Sequence, residues 1–113
     1  MSSRPWQQRI ADIIEAIQEI ETLTQGNTAT DLEQDPLRYK AILYNFIIIG
    51  EAAASIPRAQ QNRYPQILWR EMSDMRNIVA HEYFRVQFSL VWKTIRNNLP
   101  ATLQALQEIQ KSL

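Results

Sequence analysis

Cysteine is missing from this chain, and in 113 residues glycine occurs twice and histidine once. Without thiols there is no disulfide and no thiolate metal site, so a secreted, disulfide-stapled scaffold is excluded. The single histidine, His81, has no HxxxH or HExxH partner and no carboxylate cluster beside it in the sequence. A metal site needs several ligands at once, so the expectation is a protein that uses neither a metal nor a cofactor. Long apolar runs are lacking too. The longest patch, Phe46-Ile47-Ile48-Ile49, is far short of the roughly 18 residues that a membrane span requires. The opening Met1-Ser2-Ser3-Arg4-Pro5-Trp6 has no apolar h-region of the kind a signal peptide carries. The expectation is a cytoplasmic protein with no membrane partner.

Net charge is also absent, since twelve basic side chains balance twelve acidic ones. The balance is uneven along the chain. Residues 1–57 hold four basic against eight acidic side chains, and residues 58–100 hold seven basic against three acidic. A basic half beside an acidic half suits a locally bound anion or a head-to-tail partner. On charge alone, a mixed solvated surface explains the same numbers. Charge-driven coating of nucleic acid is disfavoured, and no helix carries the clustered basic face of a DNA reader, so DNA is not expected as a partner.

What the chain does have is helical periodicity over most of its length. Trp6, Ile10, Ile13, Ile14, Ile17 and Ile20 form one apolar stripe, with Ser3 as a candidate cap and Gly26 as the stop. Asn27 to Gln34 read as a loop. Asp35-Pro36 opens a second helix, with an N-cap and a proline at the first helical position, and Pro57 closes it after Ile56. Ile42 to Ile49 are apolar almost all round, which marks a central helix or one covered by a second chain. Ile47-Ile48-Ile49 has strand propensity, but no partner strand exists elsewhere. Arg58 to Pro65 read as a connection and Gln66 to Phe84 as a third helix, with Leu68, Met72, Met75 and Val79 as its core stripe. A fourth helix starts near Phe88 with Leu90, Val91 and Ile95 inward. Pro100 breaks or kinks the chain before a last helix carrying Leu103, Leu106 and Ile109. The sum is one all-α domain over 1–113, an up-and-down bundle of four to five helices. Trp6, Trp69 and Trp92 sit among aliphatics at helical spacing and read as core or interface rather than as platforms for bases.

Arg70, Asp74, Asn77 and His81 fall on one polar stripe of the third helix, opposite its core stripe. Arg76 and Tyr83, seven apart, share the edge of the core face. A lone histidine is ordinarily a satisfied surface or core residue. The sharper reading is acid–base chemistry, because imidazole titrates near neutral pH. Arginine adds a bidentate grip on phosphate and stabilises charge in the transition state. The pair suits RNA cleavage by attack of the ribose 2′-OH on the adjacent phosphate. That reaction needs both a base and an acid, and one histidine per chain cannot easily supply both at once. Arg76 and His81 also lie about 140° apart on an ideal helix, so one phosphate cannot touch both on a straight helix. Either the helix loosens near His81, or a second copy of the chain completes the site.

The stretch Met75-Arg76-Asn77-Ile78-Val79-Ala80-His81-Glu82-Tyr83-Phe84 resembles the signature of the HepT-like toxins of the HEPN ribonuclease superfamily. Ile48-Ile49-Gly50-Glu51-Ala52, Pro65-Gln66-Ile67-Leu68-Trp69, and Leu90-Val91-Trp92 with Leu99-Pro100 resemble further stretches of that family, in order and without large insertions. The resemblance implies an all-α bundle that pairs with itself as a homodimer, or a higher assembly of dimers, with two motifs facing one cleft. It implies metal-independent endoribonuclease activity of a toxin–antitoxin pair on an RNA substrate such as tRNA or mRNA. Arg76 would bind and stabilise the phosphate, His81 would transfer protons and Asn77 would position one of them. The implied partner is an MntA-like nucleotidyltransferase antitoxin that adds AMP to the motif tyrosine, here Tyr83. Read without the resemblance, Tyr83 is an amphipathic aromatic at the edge of the core. Gly50 inside a helix costs roughly 1 kcal/mol against alanine, which points to a close helix contact or a site wall. Glu51 after it either buttresses Arg76 or is simply solvated. The rival reading is a non-catalytic helical module that binds a nucleotidyltransferase partner.

Overall fold

Punctuation in the sequence decides where the helices begin and end. A computed structural model describes residues 4–113, so the cap expected of Ser3 lies outside the described residues. Helix α1 runs Trp6–Thr24, and its six expected stripe residues face inward, with Ile10, Ile13, Ile17 and Ile20 fully buried. Gly26 stops it by adopting φ 76°, the left-handed region open to glycine. Arg38 also serves this end, donating from Nη1 to the Leu23 carbonyl at 2.8 Å.

The segment expected as a loop at 27–34 contains a one-turn helix, α2 (Ala29–Glu33). A reciprocal capping box makes it: Thr28 accepts from the Asp31 amide at 3.1 Å, and Asp31 accepts from the Thr28 amide at 2.9 Å. Leu32 pins the turn to the core and is fully buried. Helix α3 (Pro36–Ser55) opens as expected, the Asp35 carboxylate accepting from the Arg38 amide at 3.1 Å. That bond, then the Arg38 guanidinium, holds the Asp35 carboxyl below the usual aspartate range.

The nearly all-round apolarity of α3 reflects a central position. It packs most heavily against α5 (Trp69–His81) on one side and α1 on the other. Asn45 is buried in α3 between apolar turns, and its amide donates to Glu19 of α1 at 3.3 Å and to the Ala41 carbonyl at 3.0 Å. The connection expected at 58–65 is likewise partly helical, as α4 (Arg58–Arg63). Gln61 anchors it by donating to the Ala53 and Ile56 carbonyls, which caps the end of α3.

Helix α5 is shorter than the expected 66–84. Ile67 and Trp69 pack into the core before and at its start, and the Trp69 indole donates to the Tyr64 carbonyl at 3.0 Å. After His81 the chain turns at Glu82 (φ −130°, ψ 39°) into a 3-10 turn, Tyr83–Arg85. Phe88 then opens α6 (Phe88–Asn97), its ring 5.4 Å from that of Tyr39 of α3. Asn98 joins α6 to α7 (Leu99–Lys111), against which α6 packs, with Pro100 in the first turn of α7. The chain changes direction there rather than kinking one helix. Five long helices and two one-turn helices are thus present among the described residues. None is long and apolar enough to cross a membrane.

Two expected core residues are not covered. Leu68 and Leu90 are 47% and 45% exposed, and Met72 and Met75 are only half-buried. They line an apolar groove of about 290 Å³ with Phe46, Ile49 and Ile78. Val79, Val91 and Ile95 are buried as expected.

Candidate active site

The site begins where α3 crosses α5. A Cβ on Gly50 would overlap that of Arg76 and lie 2.7 Å from the Met72 carbonyl oxygen. Only glycine lets the two backbones meet this closely, which accounts for a residue that otherwise weakens a helix. The contact fixes the base of the Arg76 side chain. Its tip is held as well, because Nη1 donates to Glu51 Oε2 at 3.3 Å. Arg76 retains 30% of its side-chain exposure and Glu51 58%. A pair this wet contributes little stability, at most about 1 kcal/mol, so its main effect is on orientation. Arg76 Nε is shielded from solvent and has no partner among the described residues. The guanidinium is therefore neither buried away nor free to wander. Adjacent residues of α3 supply its floor and its tether.

Asn77 and His81 lie on the exposed stripe with Arg70 and Asp74, as the helical wheel requires. Arg70 and Asp74 are 4.0 Å apart and both exposed, a surface pair. His81 is the last residue of α5, with its imidazole in solvent. Helical geometry persists to that point, since the Glu82 amide still donates to the Ile78 carbonyl at 2.9 Å. The helix therefore ends after His81 instead of loosening before it. Arg76 and His81 keep the ideal separation, about 140° around the axis and about 7.5 Å along it. Of the two ways to bring them to one phosphate, a locally unwound helix is not the one observed.

Tyr83 departs from its expected position. It lies in the 3-10 turn, so the seven-residue helical relation to Arg76 does not hold. The turn is closed by the Arg85 amide on the Glu82 carbonyl at 2.7 Å and the Val86 amide on the Tyr83 carbonyl at 3.3 Å. Tyr83 is 37% exposed, and its ring meets that of Phe84 edge to face at 5.2 Å.

Sequence reasoning missed a neighbour of Tyr83. Tyr39 of α3 carries a shielded hydroxyl without a partner among the described residues. Burial, then the nearby Tyr83 and Glu33, push its phenol above the ordinary tyrosine range. No local signal marks Tyr39, because its surroundings come from separate parts of the chain.

The tryptophans behave as structural residues. Trp69 is buried, and Trp92 is half-buried with Phe88 stacked at 6.4 Å and the Arg96 guanidinium 4.7 Å from its ring centre. Among the described residues no group of three or more His, Asp or Glu side chains is placed to hold a metal ion.

Comparison with known proteins gives the family. A family described as "Ribonuclease HepT-like" matches residues 13–109. A protein of Thermococcus cleftensis named a probable ribonuclease HepT is 34% identical over 90% of this chain and 93% of its own length. A protein of Methanocaldococcus jannaschii, provisionally named an RNase, is 29% identical over 90% of this chain and 84% of its own. Another from Caldanaerobacter subterraneus, named in the same way, is 31% identical over 82% and 86%. No solved structure gives a significant match. With an all-helical bundle, an Arg76-x4-His81-x-Tyr83 motif at the end of its central helix pair and a family match spanning nearly the whole sequence, this chain belongs to the HepT-like ribonuclease family of the HEPN superfamily.

Proposed function

We propose that this protein is a metal-independent endoribonuclease toxin of a toxin–antitoxin pair, and that two copies of the chain form its active site. The observation that carries the reading is the unbroken helix from Arg76 to His81. It leaves a tethered guanidinium and an exposed imidazole facing different directions on one chain. A two-fold partner with the same patch opposes each arginine to the other copy's histidine and provides the second acid–base group that one chain lacks. The apolar groove around Leu68, Met72, Met75, Ile78 and Leu90 offers uncovered surface beside α5 for such pairing.

In the proposed reaction, one His81 takes the proton of the ribose 2′-OH as the oxygen attacks the neighbouring phosphorus. The other His81 protonates the departing 5′-oxygen, leaving a 2′,3′-cyclic phosphate. Arg76 stabilises the charge that grows on the non-bridging oxygens, with Glu51 keeping its fork aimed and Asn77 positioning a proton. Relatives named as ribonucleases support RNA as the substrate class.

Tyr83 is proposed as the acceptor of AMP from an MntA-like nucleotidyltransferase antitoxin. It is partly exposed and two residues from His81, so an added nucleotide brings bulk and negative charge to a place that must accept a phosphate. The test is cleavage of tRNA and mRNA by the purified protein in EDTA. The parent should cut; His81→Ala and Arg76→Ala should not, with helicity and mass in solution unchanged. Cleavage by both variants at the parental rate overturns the assigned roles. Tyr83→Phe should resist the antitoxin, and AMP found on another residue by mass spectrometry removes the switch.

A further inference from the structure

Phe84 is 98% exposed, whereas Phe46 is buried and Phe88 half-buried. Burying a phenylalanine gains about 1.5–3 kcal/mol, and the fold forgoes that gain here. The ring is not on a loose tail. It sits in the hydrogen-bonded 3-10 turn, braced edge to face by Tyr83 at 5.2 Å. It follows His81 by three residues, which places its Cα within about 10 Å of that of the histidine.

Two occupants of such a ring are plausible on chemistry: a nucleobase or a protein surface. Its surroundings favour the base. Glu82 and Arg85 flank it, paired at 3.7 Å with side chains 52% and 84% exposed, and Gln87 beyond is exposed as well. A charged collar of this kind is unlike the centre of a protein interface, which is depleted of charge. The uncovered apolar groove between Leu68 and Leu90 is the surface with interface character. A bare aromatic face beside a solvated arginine is instead the combination that holds single-stranded RNA, by stacking on the base and pairing with the phosphate.

We infer that Phe84 is a substrate-positioning residue that stacks on an unpaired nucleobase next to the scissile phosphate, with Arg85 meeting the flanking backbone. This rests on the ribonuclease reading above. It predicts selection of unpaired over duplex RNA, because a base must leave its own stack to reach the ring.

The test separates binding from chemistry. A fluorescent, unstructured oligoribonucleotide is titrated with His81→Ala protein and with His81→Ala/Phe84→Ala. Loss of the ring should weaken Kd about tenfold, and Phe84→Trp should restore it. An abasic ribonucleotide at the stacked position should weaken binding to the first protein and erase its advantage over the second. In the cleaving protein, Phe84→Ala should raise KM by a similar factor with a smaller change in kcat. Equal Kd for the two proteins overturns the inference. So does a Phe84→Ala variant whose RNA affinity is intact but whose sedimenting mass falls, which assigns the ring to self-association. Phe84-dependent binding by a parent that cuts nothing leaves stacking in place and removes the catalytic reading. Cutting by the parent with Phe84-independent binding does the reverse.

Discussion

The two ends of the motif are built in opposite ways. At Arg76 the chain is clamped: α3 and α5 touch at Gly50, the side chain is two-thirds covered, and Glu51 holds its tip. At His81 and the following turn the side chains are mostly open: His81, Glu82, Phe84 and Arg85 face solvent, and only Tyr83 is largely covered, at 37% exposed. The group proposed to bind phosphate thus draws its precision from the core. The group proposed to transfer protons stays accessible at the surface. The comparison makes the arginine end responsible for stability and the histidine end nearly silent in it.

Substitution at the crossing tests that asymmetry most severely. Gly50→Ala should gain about 1 kcal/mol of helix propensity but force apart two backbones already in contact. Overpacking typically costs about 1–3 kcal/mol and should dominate. Urea denaturation should show a net loss, and RNA cleavage should fall with it, because Arg76 moves. An unchanged midpoint would mean that the helices are free to separate.

Thr28→Ala is expected to cost about 1 kcal/mol, the usual worth of an N-cap, by removing one half of the capping box at α2. Its effect on cleavage should be small, because α2 supplies none of the proposed site residues. At the other end of the motif, His81→Ala and Phe84→Ala should each shift stability by less than about 0.5 kcal/mol, as exposed positions do. A large loss for either would show that the turn is a structural element after all. Glu51→Gln sharpens the distinction further. The wet pair contributes little to folding, so its denaturation midpoint should barely move while cleavage drops several-fold through a misaimed Arg76.

The smallest effect is that of acid. The Asp35 carboxyl sits below the usual aspartate range, so the capping bond is fully present above the unfolded pKa and is lost as pH falls through the folded one. Parent and Asp35→Asn should therefore differ in thermal midpoint near neutrality and converge in strong acid.

Much of this was legible beforehand because it is local. The stripe from Trp6 to Ile20, the Gly26 stop, the Asp35-Pro36 opening and the Pro57 end each depend on a few consecutive residues, and each is observed. The box at Thr28 and Asp31 is equally local, although the segment around it reads as a loop. Leu68 and Leu90 show the limit of a helical wheel. It gives the direction of a side chain but not whether another helix arrives to cover it. The end of α5 had no glycine or proline to announce it, so the position of Tyr83 could not be read.

By itself the sequence determined the long helices, the Asp35 cap and the polar stripe from Arg70 to His81, because these follow from the periodicity and chemistry of neighbouring residues. Only the tertiary structure decided that Gly50 is the floor beneath Arg76, that Glu51 is its tether, and that the ring of Phe88 packs beside Tyr39. Each of those contacts joins residues from separate elements. Their meeting is fixed by how α3 packs on α5 and on the start of α6, and no local pattern encodes that distance.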